Sequence, residues 1–298
     1  MIKRALIITL GLAIAIVGGA LLWINYRINR PDNLPFDAQK AYAHVLAQTD
    51  FGPRTPGSAA HTATIEYIRA NLEQSGWLVD IQTEKVGMHT IKNIIARRSD
   101  VPPQVILGAH YDTRLLSDND PDLLLQQQPV PGGNDGASGV AVLLELGRVL
   151  PRDSVPIWLV FFDAEDQGGI PGWEDWSLGA TAFVNSFNLK PRAVVIVDMV
   201  GDFDLNITME KNSDSRLTKE IWDVAASLGY GNVFIPREKY SIMDDHMPFV
   251  NAGIPAVDII DIEYRYWHTT YDTADKVSPH SLEIVGNTLL AWIAQQNR

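Results

Sequence analysis

The stretch GGNDGASGVAVLLELGRVLPRDSVPIWLVFFDAED, residues 132–166, decides the fold. From Ser138 to Val149 apolar residues recur at helical spacing, and the run PIWLVFF over 156–162 is apolar along its whole length and too short for a helix. A helix followed by a fully apolar strand is one unit of an α/β protein, in which both faces of a parallel sheet are covered. Outward from this unit the alternation continues. Strands are expected over 91–97, 104–109, 193–198 and 255–260, and helices over 36–49, 59–75, 178–187, 215–228 and 280–294. The fold expected is α/β: a mostly parallel, mixed sheet with helices on both faces. The segment FGPRTPGS, 51–58, separates the first two helices because its glycines and prolines continue neither. No internal repeat is visible, and 114–133 is about twenty residues without regular pattern, a length that points to a functional or mobile loop.

In an open parallel sheet the ligand site forms beyond the carboxyl ends of the strands. Polar residues gather at those ends here: His110-Tyr111-Asp112 after 104–109, Asp163 to Asp166 after 156–162, Asp198 closing 193–198, and Asp258, Asp261 and Trp267-His268 at and after 255–260. Asp135 stands just before the helix of the quoted stretch. Any one of these acids reads equally well as a helix N-cap or a solvated loop residue. Four carboxylates (Asp135, Glu165, Asp166, Asp198) and two histidines (His110, His268) on one sheet edge are different, because buried acids repel one another unless a cation neutralises them. The chain has no cysteine, so such a cation must be held by His, Asp and Glu.

Bulk properties set limits. The 298 residues fit two average domains or one α/β enzyme, and 46 % apolar with 20 % charged residues is ordinary globular composition. A net charge of −12 argues against nucleic acid as a partner. After Met1-Ile2-Lys3-Arg4 an uncharged run extends from Ala5 to Ile24. As a helix it would span roughly 30 Å, the thickness of a bilayer core. The expected organisation is a single-pass membrane anchor over 1–25, a Pro-containing linker over 26–35 and a catalytic domain over 36–298. Lys3 and Arg4 favour an extracytoplasmic domain, with Arg27 and Arg30 weakening the asymmetry.

The series GPRTPGS (52–58), GAHYDT (108–113), GGNDGASGVAVLLELGRVL (132–150), FFDAEDQG (161–168), DMVGD (198–202), DDHMPFVNAGIP (244–255) and YWHTTYDTADKVS (266–278) resembles, in order and spacing, the metallopeptidase superfamily that contains zinc aminopeptidases and animal-type glutaminyl cyclases. The likeness spans about residues 36–298. It implies a zinc aminopeptidase-like domain in which Asp135, Asp166 and His268 hold the principal zinc and Glu165 is the general acid/base. In many relatives the ligand after the base is Glu, so Asp166 is one methylene shorter. His110 and Asp198 match the ligands of a second zinc in the aminopeptidases, with Asp112 orienting His110. In the cyclases the position of Asp198 belongs to a hydrogen-bond network around the substrate, and the count of one or two zinc ions stays open.

Three features tilt the resemblance toward a glutaminyl cyclase. Trp267 before His268 matches a position that is tryptophan in cyclases and more often tyrosine in aminopeptidases. The segment Asp244-Asp245-His246 resembles the cyclase Asp-Asp-His, and Trp173 lies where cyclases also place a tryptophan. The implied roles are Glu165, Asp198 and Asp245 in catalysis and Trp267, Trp173, His246 and Asp244 in substrate binding, with peptides bearing a free N-terminus as substrates. Trp173 and Trp176 read equally as packing. His44, His61, His89 and His280 are expected to be structural or on the surface, and Arg54 either pairs with an acid near the site or faces solvent.

Overall fold

Four strands run parallel and side by side, each buried at every residue: β4 (Ile157–Phe162), β3 (Val105–His110), β5 (Ala193–Asp198) and β8 (Ala256–Ile260). The computed structural model describes residues 36–296. The anchor and linker expected over 1–35 lie outside the described residues. Among the described residues no helix is long and apolar enough to cross a membrane.

Two antiparallel strands, β1 (Leu78–Val86) and β2 (His89–Arg97), extend the sheet beyond β4, so the order is β1-β2-β4-β3-β5-β8. The mixed, mostly parallel sheet agrees with the sequence reading. Strand β1 is absent from that reading because, as the edge strand, it buries none of its residues fully and carries no continuous apolar run. A separate parallel pair, β6 (Ile207–Met209) and β7 (Phe234–Glu238), escaped the pattern because β6 is only three residues long and β7, FIPRE, is broken by a proline and two charged residues.

Helices cover both faces. On one face α4 (Leu178–Ser186) and α6 (Met247–Asn251) bring Ala180, Phe183 and Phe249 onto Ile106, Val160, Phe162, Val194 and Ile196. On the other lies α3 (Ala137–Val149), buried from Ala137 to Gly147, flanked by α1 (Ala38–Asp50), α2 (Ala59–Gln74) and the C-terminal α7 (Pro279–Gln296). Helix α5 (Ser215–Ser227) packs against α7, β7 and β8. The N-termini of α1, α2 and α5 are capped by Asp37, Ser58 and Asp214, whose side chains accept from free backbone N–H groups of the first turn.

Helix α3 approaches the sheet closely. A Cβ added at Gly139 would stand 2.1 Å from the carbonyl oxygen of Val197 in β5, so only glycine permits this contact. The approach sets Asp135, just before α3, beside Asp198 at the end of β5.

Candidate metal centre and active site

The loop that carries Asp135 is held from three sides. Asp272 accepts from the backbone N–H of Asn134 at 2.8 Å and of Asp135 at 3.2 Å, and the hydroxyl of Tyr264 donates to it at 2.7 Å. Arg54, fully buried, donates to the carbonyl oxygens of Tyr111, Pro131, Gly132 and Asp135. Neither expectation for Arg54 holds, because backbone carbonyls rather than a carboxylate or solvent satisfy its guanidinium. Burial lowers its pKa to about 10. From β5, the loop after Asp198 is pinned to the start of α3 by Ser138 Oγ accepting from the N–H of Val200 and Asn134 Oδ1 accepting from that of Gly201.

These restraints bring five chain segments to one point. His268 Nε2 lies 2.9 Å from Asp166 Oδ1 and 3.9 Å from Asp135 Oδ2, and His110 Nε2 lies 3.1 Å from Asp135 Oδ1 and 3.0 Å from Asp198 Oδ1. All five residues are buried. Two groups of three therefore have donor atoms close enough to share a cation: Asp135, Asp166 and His268, and His110, Asp135 and Asp198, with Asp135 common to both. The donor set fits zinc in being nitrogen and oxygen at a strand-end cleft. His268 Nε2 and Asp166 Oδ2 are buried without a hydrogen-bond partner, a condition costly for polar atoms and relieved by a cation between them.

The two groups differ in one respect. His110 Nε2 and Asp198 Oδ1 make a hydrogen bond with each other, whereas His268 Nε2 makes none with Asp166 despite the shorter distance. The Asp135–Asp166–His268 group is thus the one with valence left over. Asp112 lies 3.5 Å from His110 Nδ1, and it also accepts from the N–H of Glu165 at 3.0 Å and from the side-chain amide of Gln167 at 2.8 Å, fixing the 163–167 turn.

Electrostatics describe a cluster short of positive charge. Burial pushes Asp166 up to about 6, with the charge of Asp135 adding to it, and burial raises Asp198 to about 7 against the pull of His110. His268 is raised to about 9: burial opposes its charge, but Asp166 and Asp118 outweigh burial. Glu165 is driven well above the usual carboxylate range by burial and by Asp244. It takes no part in either donor group, and Ser177 Oγ donates to its Oε1 at 3.2 Å.

Among the described residues four non-glycine residues have positive φ: Ala164, Ser177, Met199 and His268. Each is at this site: beside Glu165, bonded to Glu165, lining the cavity, and in the donor group. Backbone strain concentrated in this way marks a functional centre held by its surroundings. A cavity of about 330 Å³ opens over the centre, lined by Asp135, Glu165, Asp166, Asp198, Asp244, Trp176, Trp267 and residues 240–243 among others.

A sequence profile of peptidase family M28 matches residues 93–293, which include every donor named above. The chain belongs to peptidase family M28. The glutaminyl cyclase of Porphyromonas gingivalis is 35 % identical, superposes with a TM-score of 0.83 and is matched over 88 % of this chain and 99 % of its own. A Zn-dependent exopeptidase from Parabacteroides distasonis is 32 % identical with a TM-score of 0.80, over 87 % of this chain and 98 % of its own. Glutaminyl-peptide cyclotransferase of the snake Boiga irregularis is 22 % identical over 83 % of this chain and 80 % of its own. These three relatives of this M28 chain carry the names of enzymes, and one is described as zinc-dependent.

Within the M28 site the aromatic walls differ from the sequence expectation. Trp267 lines the cavity, but Trp173 does not; its ring stacks on His89 at 3.4 Å between centroids and packs against the cluster of Ile91, Ala164 and Leu178. Trp176 takes the second wall, lying against the bare backbone of Gly168 and parallel to the His268 ring. Asp244 reaches the cavity. Asp245 sits behind it, fully buried, with neither carboxylate oxygen hydrogen-bonded. His246 is also sequestered, 3.2 Å from Glu210 and 3.7 Å from Asp258, and it does not line the cavity where the sequence reading expected a substrate contact. His61 pairs with Asp163 at 2.7 Å, a structural role. Residues that sequence reasoning did not single out are Asp118, Arg114, Asp272, Ser177 and Glu210. Arg114 and Asp118 lie in the long loop and Asp272 in a quoted motif, Ser177 and Glu210 in neither, and the roles of all five depend on distant partners.

Proposed function

We propose that this M28 enzyme is a glutaminyl-peptide cyclotransferase, converting the N-terminal glutamine of a peptide to pyroglutamate with release of ammonia. The observation that carries the reading is the pairing of one valence-deficient donor group, Asp135–Asp166–His268, with a free protonatable carboxylate, Glu165, in a cavity walled by two tryptophans. Those three residues would hold one zinc ion. When bound there, zinc supplies a Lewis acid that polarises the γ-carbonyl of the substrate glutamine.

The chain's own residues account for the rest. Trp176 and Trp267 confine the glutamine side chain, so that its α-amine folds back toward the carbonyl carbon of its own side-chain amide, and nucleophile and electrophile meet at high effective concentration. Asp198 and Asp244, both on the cavity wall, receive the amine. Asp245 supports them from behind. As the amine nitrogen bonds to Cδ, the carbonyl carbon of the side-chain amide, Glu165 takes the amine proton and passes it to the amide nitrogen, whose bond to Cδ breaks so that it leaves as ammonia. The raised pKa of Glu165 suits a group that must both accept and return a proton. The His110–Asp198 hydrogen bond belongs on this reading to the network around the substrate.

A second reading is a zinc aminopeptidase, favoured by the second donor group, His110–Asp135–Asp198, and by the exopeptidase relative. Incubating the full-length, zinc-loaded chain with a Gln-Phe peptide separates the two. Ammonia with a pyroglutamyl peptide is expected, and free glutamine with phenylalanine would replace the cyclase by the aminopeptidase.

A further inference from the structure

The loop 114–133 contributes a contact that neither the family assignment nor the mechanism above uses. Asp118 Oδ1 lies 3.3 Å from Nδ1 of His268, on the side of the ring away from Asp166. The carboxylate is itself gripped by a two-point fork, Arg114 Nε to Oδ1 at 2.9 Å and Nη2 to Oδ2 at 2.6 Å. Arg114 is buried and reaches further. Its Nη1 donates to the carbonyl oxygen of Asp166 at 2.9 Å, both terminal nitrogens approach that of Gly168 at 3.2 Å, and its guanidinium lies 4.9 Å from the centre of the Trp176 ring. The same loop is buttoned to the His268 turn by the N–H of Asn119 donating to the carbonyl of His268 at 3.1 Å, and by Asp120 accepting from the N–H and hydroxyl of Thr270.

We propose that Arg114 and Asp118 form a positioning pair that fixes the tautomer and orientation of His268 while setting Asp166 and Trp176 in register with it. An N–H on Nδ1 donated to Asp118 leaves the lone pair of Nε2 directed at the Asp135–Asp166 side, the form of imidazole that binds a metal. Arginine is needed because a planar fork holds a carboxylate in one plane while its remaining N–H groups serve the carbonyls of Asp166 and Gly168; lysine would supply the charge without the geometry. The loop is thereby a structural part of the metal centre. This inference rests on the assignment of Asp135, Asp166 and His268 as the metal site, and not on whether the reaction is cyclisation or hydrolysis.

The test is zinc affinity, measured on the full chain by competition with a chelator of known affinity. Asp118→Ala is expected to weaken zinc about 10- to 100-fold, the usual effect of removing the carboxylate behind a metal-binding histidine. Asp118→Glu should recover part of the loss. Arg114→Lys should weaken zinc in the same range, and the double variant Arg114→Lys/Asp118→Ala should lose clearly less than the two single losses combined, because the share of each that passes through the fork is lost only once. The unfolding temperature of the metal-free protein provides the control, and it should move little in Asp118→Ala, whose side chain is 41 % exposed in the wild type. Unchanged zinc affinity in Asp118→Ala would overturn the proposal, as would additive losses in the double variant or a loss matched by an equal fall in metal-free stability. If the wild-type chain binds no zinc, the metal assignment fails first and the positioning role with it.

Discussion

Asp166 Oδ1 stands 2.9 Å from His268 Nε2 without making a hydrogen bond to it. His268 Nε2 and the other oxygen of Asp166, Oδ2, are buried without a hydrogen-bond partner, and Asp135 completes the set from the front of α3. The donor atoms of the three lie close enough to share one cation.

Metal content is therefore the first expectation. The purified full-length chain should carry close to one zinc, and Asp135→Ala, which removes a donor from both groups, should carry almost none. Elemental analysis after gel filtration reads both. Two tightly bound ions in the wild type would move His110 and Asp198 from the substrate network into a second metal site.

Glu165 is close to the donors but belongs to neither group, so its loss should separate chemistry from metal binding. In Glu165→Gln we expect zinc content to stay at the wild-type value and turnover to fall by about 10²- to 10⁴-fold, the usual worth of a positioned general acid/base. Retained turnover would reject Glu165 as the proton carrier.

Gly139 links the packing of α3 to the geometry of the centre. A methyl group there meets the Val197 carbonyl at 2.1 Å, and backbone on both sides has no rotamer by which to yield. Gly139→Ala should cost about 1–3 kcal/mol of stability, the usual range for overpacking. It should also weaken zinc binding, because the helix start carrying Asp135 must move away from β5. Denaturant unfolding and the chelator competition check the two effects separately, and an unchanged midpoint would show that α3 does not sit as close as described.

His44 provides a pH signature away from the active centre. Burial lowers its pKa from 6.5 to about 4, Arg148 adding to the effect, while its Nδ1 pairs with the Tyr67 hydroxyl at 2.7 Å. The folded protein keeps this imidazole neutral, whereas the unfolded chain takes up a proton below about pH 6.5. Its contribution is therefore intact above that pH and is lost as the pH falls to about 4, up to about 3 kcal/mol in all. Against His44→Phe, wild-type stability should decline more steeply through this window. Parallel stability curves for the two proteins would show that the ring is not desolvated.

The sequence by itself determined the layered α/β plan, the parallel centre of the sheet and the acids and histidines at the strand ends. Those features follow from local rules: fully buried strands are continuously apolar, helices repeat every three to four residues, and a ligand cleft forms where strands end. It could not show which aromatic residue walls the cavity. Trp173 and Trp176 are three residues apart, and the choice fell to His89, which stacks on the first, and Gly168, whose missing side chain admits the second. Nor could it separate Asp244 from Asp245, neighbours that end up facing the cavity and the interior respectively. Tertiary structure alone joined Asp118 to His268 and Asp272 to the Asp135 loop. A hydrogen bond needs a partner within about 3 Å and in the right direction. Chain separation says nothing about either quantity until the sheet and its loops are in place.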